Sequence, residues 1–190
     1  MIKYLIQLHF AVFLAGFTGV FGRLISYDAF TLVLLRFTVA AVAVVAYVYF
    51  TKRLVYFDLK SKLKTMFVGA LLCLHFIFFY LSIKLSNISI GTITIAATCF
   101  FTTAFEPIIL KTRFKPTNLI YGLIIIAGLL LIFNFDTKFR LGIIIGFFSA
   151  MFSSLYAIYN KKFTKSLDPY TCINYEMFGG LLVSAICYPI

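Results

Sequence analysis

The feature that most constrains this chain is a succession of long apolar runs, separated by short gaps that hold nearly all of its charge. The runs fall at residues 5–25, 29–50, 65–84, 88–110, 118–135, 141–160 and 170–190. Each is close to the length of about 20 residues that a helix needs to cross the hydrocarbon of a bilayer. Lipid offers no partner to a backbone amide, so only helices and closed barrels can span it. The runs are continuous and show no two-residue alternation, which predicts helices and excludes a barrel.

Seven crossings at about 20 residues each consume about 140 residues. A chain of 190 then has no room for a separate soluble domain. The composition agrees: 63% of the residues are apolar and 12% charged, against roughly 45–50% and about 25% in soluble domains. A water-soluble globule is excluded. The first run follows only Lys3 and lacks a small-residue cleavage pattern, so it reads as a retained helix and not as a signal peptide.

The formal net charge of +11 does not point to nucleic acid, because that reading needs a basic face on a folded surface. Here Lys and Arg sit in the gaps. One set of alternate gaps holds Lys3, Lys52, Arg53, Lys60, Lys62, Lys64, Lys111, Arg113, Lys115, Lys161, Lys162 and Lys165; the other holds Arg23, Lys84, Lys138 and Arg140. Positively charged loops stay cytoplasmic, so the N-terminus is expected in the cytoplasm. Cys73, Cys99, Cys172 and Cys187 all lie in apolar runs without paired spacing, which indicates neither a zinc site nor a disulfide framework.

A shift of 140 residues lays Asp28-Ala29-Phe30-Thr31, at the entry to the second run, over Asp168-Pro169-Tyr170-Thr171, at the entry to the seventh. Five crossings separate the two, an odd number, so the second copy would enter the membrane from the opposite side. Such inverted repeats build the midplane sites of secondary transporters; a chance match of two short motifs is the bland alternative. Residues 1–135 would form the first repeat of five crossings and 136–190 the start of a second with only two. A fragment of a longer carrier is the preferred expectation, and a chain that covers its open face with a partner, such as a second copy, is the alternative.

Three charged residues lie well inside the runs: Arg36, Glu106 and Glu176. Each costs about 2.5–3.5 kcal/mol at a helix centre on insertion scales, so such residues turn inwards and often mark a pathway. Arg36 follows Asp28 by eight residues and Glu176 follows Asp168 by eight, which makes them counterparts on the order of 10 Å below opposite faces. Arg36 could attract an anionic group of a solute, and Glu176 could serve a cationic group or a proton. A structural pair, or an arginine snorkelling outwards, is the plainer reading. Glu106 precedes Pro107, which tends to bend the chain; hydration or a pair with Lys111 or Lys115 is expected there.

Of Thr98, Cys99, Thr102 and Thr103, with Thr92 and Thr94, several recur at three-, four- and seven-residue steps that line one helical face. Such a stripe lines a polar cavity or glues helices together. His75 shares a face with Phe79 and Ser82 and must turn inwards, either for proton coupling or for an interhelical hydrogen bond. Gly16, Gly19, Gly142 and Gly146 read as points of close helix approach. There is no Gly-x-Ser-x-Gly, no His-Glu-x-x-His and no phosphate-cradling Gly-rich loop, so no catalytic equipment, cofactor or metal is expected.

The stretch from His75 through Asn87 to Gly91, followed by Phe105-Glu106-Pro107 and by Gly122 to Gly128, resembles the third to fifth helices of the EamA family of the drug/metabolite transporter superfamily. Arg36 matches that family's frequent intramembrane arginine. The resemblance runs along the whole chain and implies an all-α integral membrane fold of ten helices in two inverted halves, of which about seven are present here. It also implies transport of small metabolites, such as amino acids or related compounds, through a central cavity, without a cofactor. The chain departs from the pattern in carrying Thr112-Arg113 where many members have an acidic residue, and in lacking Trp. The expected protein is a carrier of a bacterial inner membrane working by alternating access. Its solute-contacting residues would be Arg36, His75, Asn87, Thr98, Cys99, Thr102, Thr103 and Glu176, with Glu106 as a further pathway residue. Its partners would be a small solute, the lipid bilayer, a coupling proton, and either the missing half or a second copy. A non-transporting scaffold or sensory subunit is the rival reading.

Overall fold

The computed structural model describes residues 2–114, 116–134 and 137–188, and within them the chain is helical with no strand. The helices are α1 (Ile2–Leu24), α2 (Ala29–Thr51), α3 (Leu59–Leu85), α4 (Ile88–Thr94), α5 (Thr98–Leu110), α6 (Pro116–Asn134), α7 (Arg140–Thr164) and α8 (Pro169–Ile186). Short 3₁₀ turns at Ile95–Ala97 and Thr137–Phe139 precede α5 and α7. An all-helical membrane bundle is thus the observed class. Five stretches are long and apolar enough to span a membrane: Tyr4–Leu24, Ala29–Thr51, Leu59–Leu85, Ile88–Leu110 and Arg140–Thr164. Pro116–Leu131 is a shorter apolar helix, and α8 interrupts its apolar run with Asn174 and Glu176.

Two boundaries differ from those the hydropathy predicts, for different reasons. The third helix starts at Leu59, six residues before the apolar run at 65. Asp58 accepts a hydrogen bond from the Ser61 amide at 3.3 Å and caps it, and the residues that follow are polar but compatible with a helix. Hydropathy reports where lipid begins, and a cap reports where the helix begins. The run 88–110, expected as one helix, forms one span, Ile88–Leu110, whose backbone stays right-handed and tightens to a 3₁₀ turn at Ile95–Ala97 between α4 and α5. Residue 135 of the fifth run and residues 189 and 190 of the seventh lie outside the described residues, as does Lys115.

The Asp-x-x-Thr motif that the 140-residue shift superposes is an N-cap in both places. Asp28 accepts from the amides of Phe30 and Thr31 and from the Thr31 hydroxyl; Asp168 accepts from the amide and hydroxyl of Thr171, both at 2.8 Å. These bonds satisfy amides that a helix start leaves open.

α3 is the axis of the bundle. It packs most extensively against α7, then α8, then α2, while α5 rests on α7 and α6 rests on α5. α1 touches only α3 and α4 to any extent. Close approach explains the first ranking. A Cβ on Gly69 would collide with the carbonyl oxygen of Glu176, and one on Gly179 with the backbone of Met66, so α3 and α8 meet backbone to backbone. Gly142 and Gly146 likewise admit Ser86 and Thr94, as their spacing suggested. Gly16 has nothing within 4 Å of the Cβ it lacks. The expected packing role of Gly16 is therefore not observed, because α1 leaves that face outside the bundle.

Two hydrogen bonds at opposite ends of α3 fix the sense of its neighbours. Lys84 Nζ donates to the Ile25 carbonyl at 2.7 Å, pinning the α1–α2 turn to the C-terminal end of α3. At the N-terminal end, the Val55 amide donates to Thr171 Oγ1 at 3.0 Å, pinning the start of α8. Asp28 and Asp168 accordingly stand at opposite ends of the bundle, and α2 and α8 run antiparallel in contact.

Candidate solute site

Arg36 sits two turns into α2, and its environment is built by the next helix. The aromatic run Phe76-Ile77-Phe78-Phe79-Tyr80 on α3 places two rings beside it. The guanidinium carbon lies 3.8 Å from the Phe76 ring centroid, and Nη1 donates to Tyr80 Oη at 3.2 Å. Tyr80 is buried, whereas Arg36 is exposed along one side of α2. Both open onto a groove of about 520 Å³ between α1 and α2, whose other walls include Phe21, Tyr27, Leu35 and Val39. Among the described residues the one ion pair is that of Lys161 with Glu106, so no carboxylate neutralises Arg36. A cation at this depth, held by one phenol and one ring face, retains most of its capacity to bind an anion.

His75 lies one helical position from Phe76 and turns the other way, into the α3–α7 interface, within electrostatic reach of Arg36. Its Nδ1 is 3.0 Å from the Ser149 carbonyl and 2.9 Å from Ser149 Oγ, which in turn donates to the His75 carbonyl at 3.1 Å. The ring stacks on Phe79 with centroids 6.0 Å apart. This is the interhelical hydrogen bond that was one of the two readings of His75.

The hydroxyl stripe of α5 faces the same helix from the other side. Thr98 Oγ1 donates to the Ala150 carbonyl at 3.4 Å and Thr102 Oγ1 to Ser154 Oγ at 3.0 Å. Thr103 bonds its own helix at the Cys99 carbonyl, and Cys99 is exposed. Thus α7 carries His75 on one flank and the Thr98-to-Thr102 stripe on the other, joined through Ser149, Ala150 and Ser154.

The remaining residues lie apart from these. Asn87 caps α4, its Oδ1 accepting from the Ile90 amide at 2.8 Å. Glu176 is buried on α8 against Gly69, within electrostatic reach of Tyr156 and Cys172. Among the described residues no hydrogen bond or ion pair reaches its carboxyl. Of the two lysines expected beside Glu106, Lys111 does not pair with it and Lys115 lies outside the described residues. Glu106 accepts from Lys161 Nζ at 2.6 Å, on a neighbouring helix, because α5 and α7 run side by side to the same end. Lys111 ends α5 in a left-handed backbone conformation, exposed.

Several participants were not singled out in the sequence. Tyr80 belongs to an aromatic run that reads as core. Ser149 and Ser154 belong to two small-residue pairs, Ser149-Ala150 and Ser153-Ser154, separated by Met151 and Phe152, and those pairs were the available signal. Asn174, buried with Oδ1 unpaired, had none. The four cysteines are free, and the described residues contain no cluster able to hold a metal.

Against known proteins, a family model described as the EamA-like transporter family matches residues 2–134, well over half of the chain. No curated protein and no solved structure matches it.

Proposed function

The chain belongs to the EamA-like transporter family, multi-pass membrane transporters of small molecules, and from that premise we propose that it carries a small organic metabolite, an amino acid or a related compound, across a bacterial inner membrane by alternating access. The observation that carries this reading is the unneutralised Arg36 in its groove beside Tyr80 and Phe76. A guanidinium without a carboxylate partner is costly inside a membrane unless its surroundings supply an anion or water. A carboxylate of the solute is the natural occupant, with Tyr80 holding the guanidinium's orientation. His75, the Thr98-to-Thr103 stripe, Cys99 and Asn87 lie outside this groove and are proposed as further points along the solute's path. Glu176, buried without a hydrogen-bonding partner among the described residues, is the proposed place for a coupling proton.

The antiparallel α2 and α8, capped alike at opposite ends, support two inverted units, 1–135 and 136–190. Lys52, Arg53, Lys60, Lys62, Lys64, Lys111, Arg113, Lys161, Lys162 and Lys165 gather at the end where α1 begins, which supports a cytoplasmic N-terminus.

Uptake of radiolabelled amino acids into proteoliposomes tests the reading. Saturable flux is expected for at least one solute, and Arg36→Ala should reduce it roughly 10- to 100-fold, the worth of a hydrogen bond to a charged group, while Arg36→Lys retains a part. One set of observations favours the rival scaffold: the bonds of His75 and Thr102 all go to α7. Absence of saturable flux across the panel, with intact assembly, would decide for it.

A further inference from the structure

At the basic end of the bundle a groove of about 730 Å³ runs between the first turns of α3 and the last turn of α7. Leu59, Leu63 and Phe67 recur at four-residue steps along its α3 wall, and Phe163 of α7 faces them. All three α3 residues are exposed, Leu59 to 72% and Phe67 to 49%. The other stripe of that wall is Lys60 and Lys64, also four apart and therefore on one helical face. Leu59 to Phe67 span on the order of 12 Å of helix axis, so the apolar stripe descends from the charged mouth towards the hydrocarbon. Phe67 closes the inner end by an edge contact with Tyr159, ring centroids 5.5 Å apart.

We propose that this groove binds one anionic phospholipid, its phosphate against Lys60 and Lys64 and one acyl chain along Leu59, Leu63, Phe67 and Phe163. Neighbouring cations have other occupations. Lys161 is paired with Glu106, Lys162 donates to the Ile109 carbonyl, and Lys62 lies over the rings of Tyr56 and Tyr175. Among the described residues Lys60 and Lys64 have no carboxylate bridge, although Lys64 lies in the field of Asp58 and over the Phe163 ring at 5.8 Å. Asp58, at the mouth, is engaged by the Ser61 amide in capping α3. It reduces the positive potential without abolishing it, since two lysines oppose one carboxylate. The pairing of cations with an adjoining apolar channel selects a lipid over a soluble phosphate, which would leave the apolar stripe uncovered.

Native mass spectrometry of the full chain, exchanged from detergent into mixed phosphatidylglycerol and phosphatidylcholine, tests this. Retention of one phosphatidylglycerol with at least about fivefold preference is expected, given that each juxtamembrane lysine contributes to anionic-lipid attraction. The double variant Lys60→Gln/Lys64→Gln should lose the preference, and the charge-matched control Lys111→Gln/Lys165→Gln should keep it. Circular dichroism of both variants establishes that each remains helical. Equal loss in both variants would mean diffuse charge and overturn the proposal. So would equal competition by glycerol phosphate, which lacks acyl chains, or disulfide-linked dimers of Leu63→Cys, which would assign the groove to a second copy.

Discussion

α1 and α3 are both long and apolar enough to span a membrane, with mean hydropathies of 1.7 and 2.2, yet one is nearly all outside the bundle and the other is its axis, while α2, at 2.3, is less buried than α3. What separates them is the size and polarity of the side chains each turns towards its neighbours. α3 presents Gly69, Cys73, His75 and Ser82 to its neighbours, so backbones and hydroxyls can meet. α1 presents Phe10, Phe13 and Phe17 outwards and approaches the bundle closely only near Gly19 and Gly22. Lipid is as apolar as leucine, so burial in a membrane is won by close packing and hydrogen bonds and not by hydropathy.

The sharpest way to break this comparison is to place the same side chain on both helices. Gly69→Leu drives a Cβ into the Glu176 backbone, which cannot give way as a flexible side chain would. Overpacking of this kind costs up to about 3 kcal/mol, and a pronounced fall in the thermal midpoint in detergent is expected. Gly16→Leu meets open space and should leave the midpoint unchanged. Equal losses in the two variants would mean that α1 packs elsewhere in the assembled protein.

The next effect lies in the α3–α7 seam. Ser149 engages both the ring and the carbonyl of His75. A double-mutant cycle of His75→Phe and Ser149→Ala, read by unfolding in mixed micelles, should give a coupling of about 1.5 kcal/mol, near the upper end for hydrogen bonds within membranes. A coupling near zero would assign His75 to the solute path and not to the seam.

Much of this fold was legible in advance. Within the described residues six of the seven apolar runs each coincide with one helix and the run 88–110 with α4 and α5 together, and Asp28 and Asp168 mark true helix starts, because lipid length and capping are local properties. The 3₁₀ turn at Ile95–Ala97 was not legible, since β-branched Ile93, Thr94 and Ile95 lower helix propensity only slightly and do not mark a position. It coincides with the approach of Thr94 to Gly146, a contact made 52 residues away in sequence. The site divides in the same manner. Arg36 stood out by its charge, whereas its partner Tyr80 was one aromatic among many and became distinct only when α2 and α3 were placed side by side. Glu106 was correctly seen as pairable, but Lys161 belongs to another helix, and sequence distance favoured Lys111.

A smaller effect distinguishes the ends of α2 and α8 from their middles. Asp28→Ala removes an N-cap and should cost about 1 kcal/mol. The Thr31 hydroxyl, ahead of the Thr31 and Phe30 amides, holds the Asp28 carboxyl below its ordinary value of 3.8. A carboxyl with a depressed folded value contributes stability above the unfolded value and loses it as pH falls through the folded one. The capping contribution should therefore be complete above about pH 4, decline below it, and be gone once pH has fallen through the lowered folded value. Asp28→Asn, which caps without ionising, should flatten that decline in an acid titration followed by helicity.

The smallest effect concerns the one ion pair among the described residues. Glu106 and Lys161 meet at 2.6 Å, but their side chains are 30% and 56% exposed at the basic end. Exposed pairs give about 0–1 kcal/mol, because solvent screens the attraction and two long side chains must be held in place. Glu106→Gln should then shift the midpoint hardly at all, with a cycle against Lys161→Met returning about 0.5 kcal/mol and less at high salt. A larger, salt-insensitive coupling would mean that the pair is shielded in the assembled membrane protein. Glu106 would then sit in an interior like that of α3, and the contrast between a packed axis and an open periphery would extend to the end of α5.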